Sequence, residues 1–271
     1  MRLMRTLATA LLWCVATLAT FVAIGAQWSA AHLQDESGFV ELTSRVGDDR
    51  EVQEAAAALA GEAFADQTGL PIAWHDQVTS AVSRSILRLT ESPDWSSAWR
   101  DTTRSTHQRL FAEPTPTDIR ADVAPLVNLA IAEVDLPITL PGPSELPVTV
   151  SDEDPADLVA AVSRARDMTL VAIGVALVAG VIALAVSRRR STTLAALGIG
   201  VLLAVGAWWV LGRMALPQFI EDQAAATAYG RELHEVLTDR IVASLDTTLL
   251  WVALGGAALT LLGLLSRARR S

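Results

Sequence analysis

Lysine is missing altogether from the 271 residues, so all 21 basic side chains are arginine. Cysteine is nearly missing. Cys14 stands alone inside an apolar stretch, which excludes an internal disulfide. The four histidines, His32, His75, His107 and His234, include no pair four residues apart and no HExxH, so the sequence assembles no zinc site. GxSxG, SxxK and Gly-rich phosphate loops are absent too, which leaves acyl transfer and nucleotide chemistry without a signature. No cofactor and no metal is expected.

What is present is apolar length. Hydrophobic residues make up 51% of the chain and mean hydropathy is +0.37, although aromatics are only 5%. A chain that is part membrane and part soluble reaches such an average easily; a soluble domain rarely does. Four runs, at 7–26, 168–187, 193–212 and 247–265, hold no Asp, Glu, His or Arg. Each is close to the ~20 apolar residues that span a bilayer core, where only a helix satisfies its own amides. Span one reads as an uncleaved anchor, with a signal peptide cut near Ser29-Ala30-Ala31 as the alternative.

Charge orients the spans. Arg2, Arg5, Arg188, Arg189, Arg190, Arg267, Arg269 and Arg270 fall on one side, in segments 1–6, 188–192 and 266–271, without a single acid. All 30 carboxylates lie in segments 27–167 and 213–246, against 13 arginines, a formal balance of -17. The positive-inside rule then places both termini in the cytoplasm and an acidic domain outside a plasma membrane. Such a charge disfavours nucleic acid as a partner and leaves the lipid bilayer as the first one. Trp28, Trp208, Trp209 and Trp251 fall at the outer span ends and read as interface anchors. Ala172, Ala176 and Gly180, and Gly255 with Gly263, have the spacing of close helix contacts.

The outer segment reads as a small helical domain. Phe39, Val40, Leu42 and Val46 suggest a short helix; Asp48 or Asp49 then caps a helix to about Gln67, closed by Gly69, with Val52, Ala56, Leu59 and Ala63 inward. Pro71 opens a helix to Leu89 that turns Trp74, Val78, Val82 and Ile86 inward. Ser92 and Pro93 start the next, which carries Trp95, Ala98, Trp99, Thr102, Thr106 and Leu110 inward and stops before Pro114. A last helix covers Pro125 to Val134. Five prolines between 135 and 155 break helices, and Ile138-Thr139-Leu140 and Val148-Thr149-Val150 read either as two strands or as a polyproline arm. The acids at 152–154 suit a helix start better than a calcium loop, since the spaced DxDxDG pattern is absent. Pro155 to Arg166 runs as a helix into span two, and Pro217 to Asp246 is mostly helical.

The most distinctive stretch is Trp95, Trp99 and His107, which share one region of a helix face and are the candidate contacts for a ligand or partner. Ser37-Gly38-Phe39-Val40, Asp49-Arg50-Glu51-Val52-Gln53, and Trp99 with Arg104 and His107 resemble short phrases of an uncharacterised group of actinobacterial integral membrane proteins. The Ala- and Arg-rich usage agrees with a GC-rich genome. The resemblance implies architecture only: one N-terminal span, a helical outer domain, then later spans.

The expectation is therefore a mainly α fold of four transmembrane helices plus a small helical outer domain with a Pro-rich segment. The expected role is non-enzymatic, the outer domain binding a protein, lipid or wall component. The alternatives are a membrane-bound enzyme using paired carboxylates and a lipid or small-molecule carrier.

Overall fold

The computed structural model describes residues 2–69, 71–112, 118–133, 142–151, 155–223 and 228–268. In chain order, α1 (Arg2–Ser29) passes through a π-helical turn (Ala30–Gln34) into α2 (Glu36–Ser44). A 3-10 turn (Val46–Asp48) leads to α3 (Arg50–Gln67), α4 (Ile72–Leu89) and α5 (Trp95–Ala112). Strand β1 (Ile119–Asp122), α6 (Ala124–Glu133) and strand β2 (Pro147–Ser151) follow, then α7 (Ala156–Ser163), α8 (Ala165–Val186), α9 (Arg190–Gln223) and α10 (Ala228–Ala268). The chain forms two compact units, one of Met1–Gln34, Ala161–Gln218 and Val242–Ser271, the other of Asp35–Ala160 and Phe219–Ile241.

The first unit is a helix bundle. Four helices are long and apolar enough to cross a membrane, within Met4–Gln34, Ala165–Val186, Arg190–Met214 and Thr238–Ala268. At ~1.5 Å per residue the 22 residues of α8 reach about 33 Å, enough for a ~30 Å hydrocarbon core. The chain is a multi-pass membrane protein by these four helices. α1 packs on α8 and on α9, and α9 packs on α10. Trp13 Nε1 donates to the Ala196 carbonyl and Trp208 Nε1 to the Phe21 carbonyl, each at 2.7 Å, so α1 and α9 run parallel. The start of α1, the turn between α8 and α9, and the end of α10 consequently share one end of the bundle.

Small residues make the helix contacts. Ala16, Ala19 and Ala23 of α1 and Ala172, Ala179 and Ala183 of α8 are buried. A Cβ on Gly263 would sit 2.7 Å from the Ser191 carbonyl oxygen and 2.8 Å from Ala195 Cα. Only glycine lets α9 and α10 approach so closely. Gly255, expected to face a neighbour, looks into open space, and Gly256 takes the contact on Gly198 instead. The expected row of interface tryptophans divides in two. Trp28, bonded to Ser244 Oγ at 3.2 Å and stacked on His32, and Trp208, stacked on Phe21, turn into the bundle. Trp209 and Trp251 project outward, Trp209 beneath the Arg213 guanidinium that also pairs with Asp246 at 2.8 Å. The two inward indoles each find a polar partner on a neighbouring helix, as a buried Trp N–H usually does.

The second unit is a helical domain with one two-stranded sheet. Asp49 caps α3 as expected, its carboxylate accepting from Glu51 N at 3.0 Å and Val52 N at 3.5 Å. Gly69 ends the connection with φ +62, a left-handed conformation open to glycine at little cost. α3 and α4 pack side by side where Gly61 faces the Thr79 carbonyl, and Ser83 Oγ donates to the Ala57 carbonyl at 2.8 Å. The core joins Val46, Val52, Phe64, Ile86, Trp95, Trp99, Leu126 and Val127.

Three local readings change. The buried stripe of α3 is Val52, Ala57, Ala60 and Phe64; Ala56 and Ala63 flank it half-buried. Trp74 is 57% exposed and Ile72 92%, because the core reaches α4 only from about Val78 onward. Ser92 does not cap α5: its hydroxyl is buried without a partner, and the Asp94 carbonyl accepts the first helical N–H from Ala98 at 3.0 Å. The turn that Pro93 imposes thus delays the helix to Trp95. Thr106 and Leu110 of that helix are half-buried.

The sheet is antiparallel and pairs β1 with β2. β2 contains the expected extended residues 148–150, but its partner is Ile119–Asp122, which the sequence reading did not single out. Residues 138–140 lie outside the described residues, as do the acids at 152–154 and residues 224–227 between α9 and α10. Asp122, buried at the end of β1, fixes this corner. Its Oδ1 accepts from Ala124 N at 3.1 Å and Leu146 N at 2.9 Å, so one carboxylate starts α6 and holds the entry to β2.

Candidate binding site

Trp95, Trp99 and His107 come together on α5, and all three are buried. Spacing of four and then eight residues puts them along one helix face. Trp95 Nε1 donates to the Gly47 carbonyl at 2.8 Å and Trp99 Nε1 to the Thr43 carbonyl at 2.9 Å. Both acceptors lie where α2 ends and the 3-10 turn begins, where carbonyls lack the helical partner four residues on. Gln53 Nε2 shares the Gly47 carbonyl at 2.9 Å. The indoles stack with centroids 5.9 Å apart, and a Cβ on Gly47 would stand 2.5 Å from the Trp99 ring. His107 lies between Phe39 of α2 and Phe111 of α5, at centroid distances of 5.1 and 4.7 Å. The trio fastens α2 onto α5, and the geometry is that of internal packing rather than of a cleft mouth.

An open groove lies elsewhere in the domain, between α3 and β2, with a volume of about 480 Å³. Leu59 and Ala63 of α3 face Leu146 and Val148 across it, while Glu62, Asp66 and Gln67 form the polar rim. Glu62 and Asp66 are four residues apart, hence neighbours on one helix face. Asp66 Oδ1 meets His75 Nε2 at 2.8 Å, with the aspartate largely in solvent.

The strand wall of this groove is a sheet edge. β1 lies against α5, and β2 lies against α3. Val123 N donates to the Leu146 carbonyl at 3.0 Å, which sets the phase of the ladder. Residues of an antiparallel strand alternate between facing their partner and facing away, so Val148 turns its backbone to β1. Pro147 and Thr149 turn theirs outward: the Thr149 N–H and two carbonyls point away from the sheet. The sheet has only two strands among the described residues, and nothing in it pairs with that edge.

The sequence reading did not foresee this groove. Glu62 and Asp66 on the outward face of α3 and a proline opening a strand were visible, but their juxtaposition depends on the β1–β2 pairing. Among the described residues, no three of His, Cys, Asp and Glu converge as a metal site would require.

Comparison with known proteins leaves the geometry to speak by itself: no family model, no curated protein and no solved structure matches the chain.

Proposed function

We propose that this is a membrane-anchored, non-enzymatic binding protein of the cell envelope, whose helical domain lies outside the plasma membrane and receives an extended segment of a protein partner. The carrying observation is the groove: a strand edge with outward backbone donors and acceptors, faced by a helix wall bearing Glu62 and Asp66. An added strand gains its affinity from main-chain bonds along the edge and its selectivity from alternate side-chain pockets. Two carboxylates on the opposite wall favour a segment carrying Arg or Lys. The arginine-rich segments, which carry no acid, support the assignment of sides by the positive-inside rule. The small, charge-free spans read as an anchor rather than a conduction path.

A second reading is a membrane-bound enzyme, favoured by the His75–Asp66 pair at the groove rim. Its weakness is exposure, since acid–base pairs work best where water is excluded.

One experiment addresses both side and ligand. A fluorescent heptapeptide alternating Arg and Val is titrated onto right-side-out and inverted membrane vesicles containing the full-length protein. Saturable binding to right-side-out vesicles alone, weakened by the E62Q/D66N double substitution and abolished by N-methylation of alternate peptide amides, is the expected result. Equal binding of a Glu–Val peptide, indifference to N-methylation, or binding on the inverted face would each overturn the proposal.

A further inference from the structure

At the bundle end that holds the α8–α9 turn, a cavity of about 430 Å³ opens between α8, α9 and α10. Its lining has two characters. Leu184, Ala185 and Leu194 form an apolar wall, and Arg190, Ser191 and Ser266 form a polar rim. The apolar wall continues into the exposed outer faces of α8 and α10, at Leu177, Val181, Leu262 and Leu265.

Among the described residues the charge here has no acidic counterpart. Arg188, Arg189 and Arg190 occupy the turn and Arg267 lies in the last turn of α10, and among the described residues none of the four makes an ion pair. No Asp or Glu occurs in the sequence between 168 and 220, nor after Asp246. A rim of one arginine and two serines, in an arginine-rich end of the bundle and above an apolar wall, suits a ligand that is anionic at one end and hydrocarbon at the other.

We propose that this cavity is a specific site for an anionic phospholipid. The Arg190 guanidinium takes two phosphate oxygens as a planar fork, and the hydroxyls of Ser191 and Ser266 donate to the headgroup. Ser266 Oγ donates to the Gly263 carbonyl at 2.9 Å, a bond it exchanges for the phosphate on a small rotation. The acyl chains descend along Leu184 and Leu194. A zwitterionic lipid would bring its ammonium towards Arg190 and the other arginines of this end, and free phosphate would leave the apolar wall without a partner. Basic pockets between spanning helices are suited to such headgroups. The other arginines attract anionic lipid diffusely; among the described arginines Arg190 alone lines the cavity.

That distinction makes the proposal testable. The full-length protein, delipidated in detergent, is titrated with phosphatidylglycerol and followed by native mass spectrometry. Phosphatidylcholine and inorganic phosphate serve as comparison ligands. One phosphatidylglycerol should bind preferentially, with the affinity falling at least about tenfold in R190Q and by less in R190K, which keeps charge but loses the fork. R188Q removes the same charge from outside the cavity and should change the affinity less than about twofold. Equal losses in R188Q and R190Q would reduce the effect to diffuse attraction and overturn the site. So would equal binding of phosphatidylcholine, or displacement of the lipid by inorganic phosphate.

Discussion

The two units of this chain are built on opposite plans. In the bundle, most of the buried positions are small, Ala16, Ala19, Ala23, Ala172, Ala179, Ala183, Ala195 and Ala204, with glycines at the tightest contacts, although Ile24, Trp28, Leu245 and Leu249 are buried as well. Its large apolar side chains, among them Leu7, Leu170, Leu177, Leu250 and Leu261, face outward. In the domain the large residues are inside, Trp95, Trp99, Ile86, Leu126 and Phe64, while arginines and carboxylates cover the surface. Each plan follows from its solvent. Water expels apolar surface, so the domain gains by burying volume. Lipid does not, so helices in it associate through close backbone approach and polar contacts that leucine would prevent.

The contrast can be broken at one glycine. Gly263→Val places a branched side chain against the backbone of Ser191 and Ala195, which no rotamer relieves. The expected cost exceeds about 3 kcal/mol, the upper range for overpacking, and the measurement is loss of a monodisperse species in detergent. In the domain the opposite change is the damaging one. Trp99→Ala empties a buried indole site and removes one of the donors to the Thr43 carbonyl, for about 3–5 kcal/mol. Thermal unfolding followed by near-ultraviolet dichroism should show the domain melting far earlier; an unchanged transition would mean that the indole carries little of the core. Smallest of the three, Asp49→Ala removes one carboxylate from the start of α3 and should cost about 1 kcal/mol, read as a shift of a few degrees in the same transition.

What could be read from the sequence divides along the same line. The spans were legible because hydropathy over about 20 residues is a local property, and so was the cap at Asp49 followed by the stop at Gly69. Features that depend on distant segments were not. Ile119-Arg120-Ala121-Asp122 has little strand character; it is extended because β2 pairs with it and Asp122 is held by Leu146 N. The Trp95–Trp99 face could be drawn on a helix, but their acceptors, Gly47 and Thr43, lie 48 and 56 residues earlier. The groove at Glu62 and Asp66 exists only once that sheet is formed. Gly255 and Gly256 differ by a rotation of ~100° about the helix axis, too fine for a spacing argument to resolve.

The two indole bonds between α1 and α9 have a mechanical consequence. Trp13 grips α9 at Ala196, and Trp208 of α9 grips α1 at Phe21, so the pair is latched at two depths and from both directions. A slip of a single residue, ~1.5 Å along the axis, is about half the length of either bond and takes both out of hydrogen-bonding geometry. Sliding of one helix along the other is therefore opposed, whereas tilting of the two together leaves both bonds intact. A pull applied to the first helix travels down the third without slack, and the latch makes a helix near one terminus and another deep in the chain a single moving part.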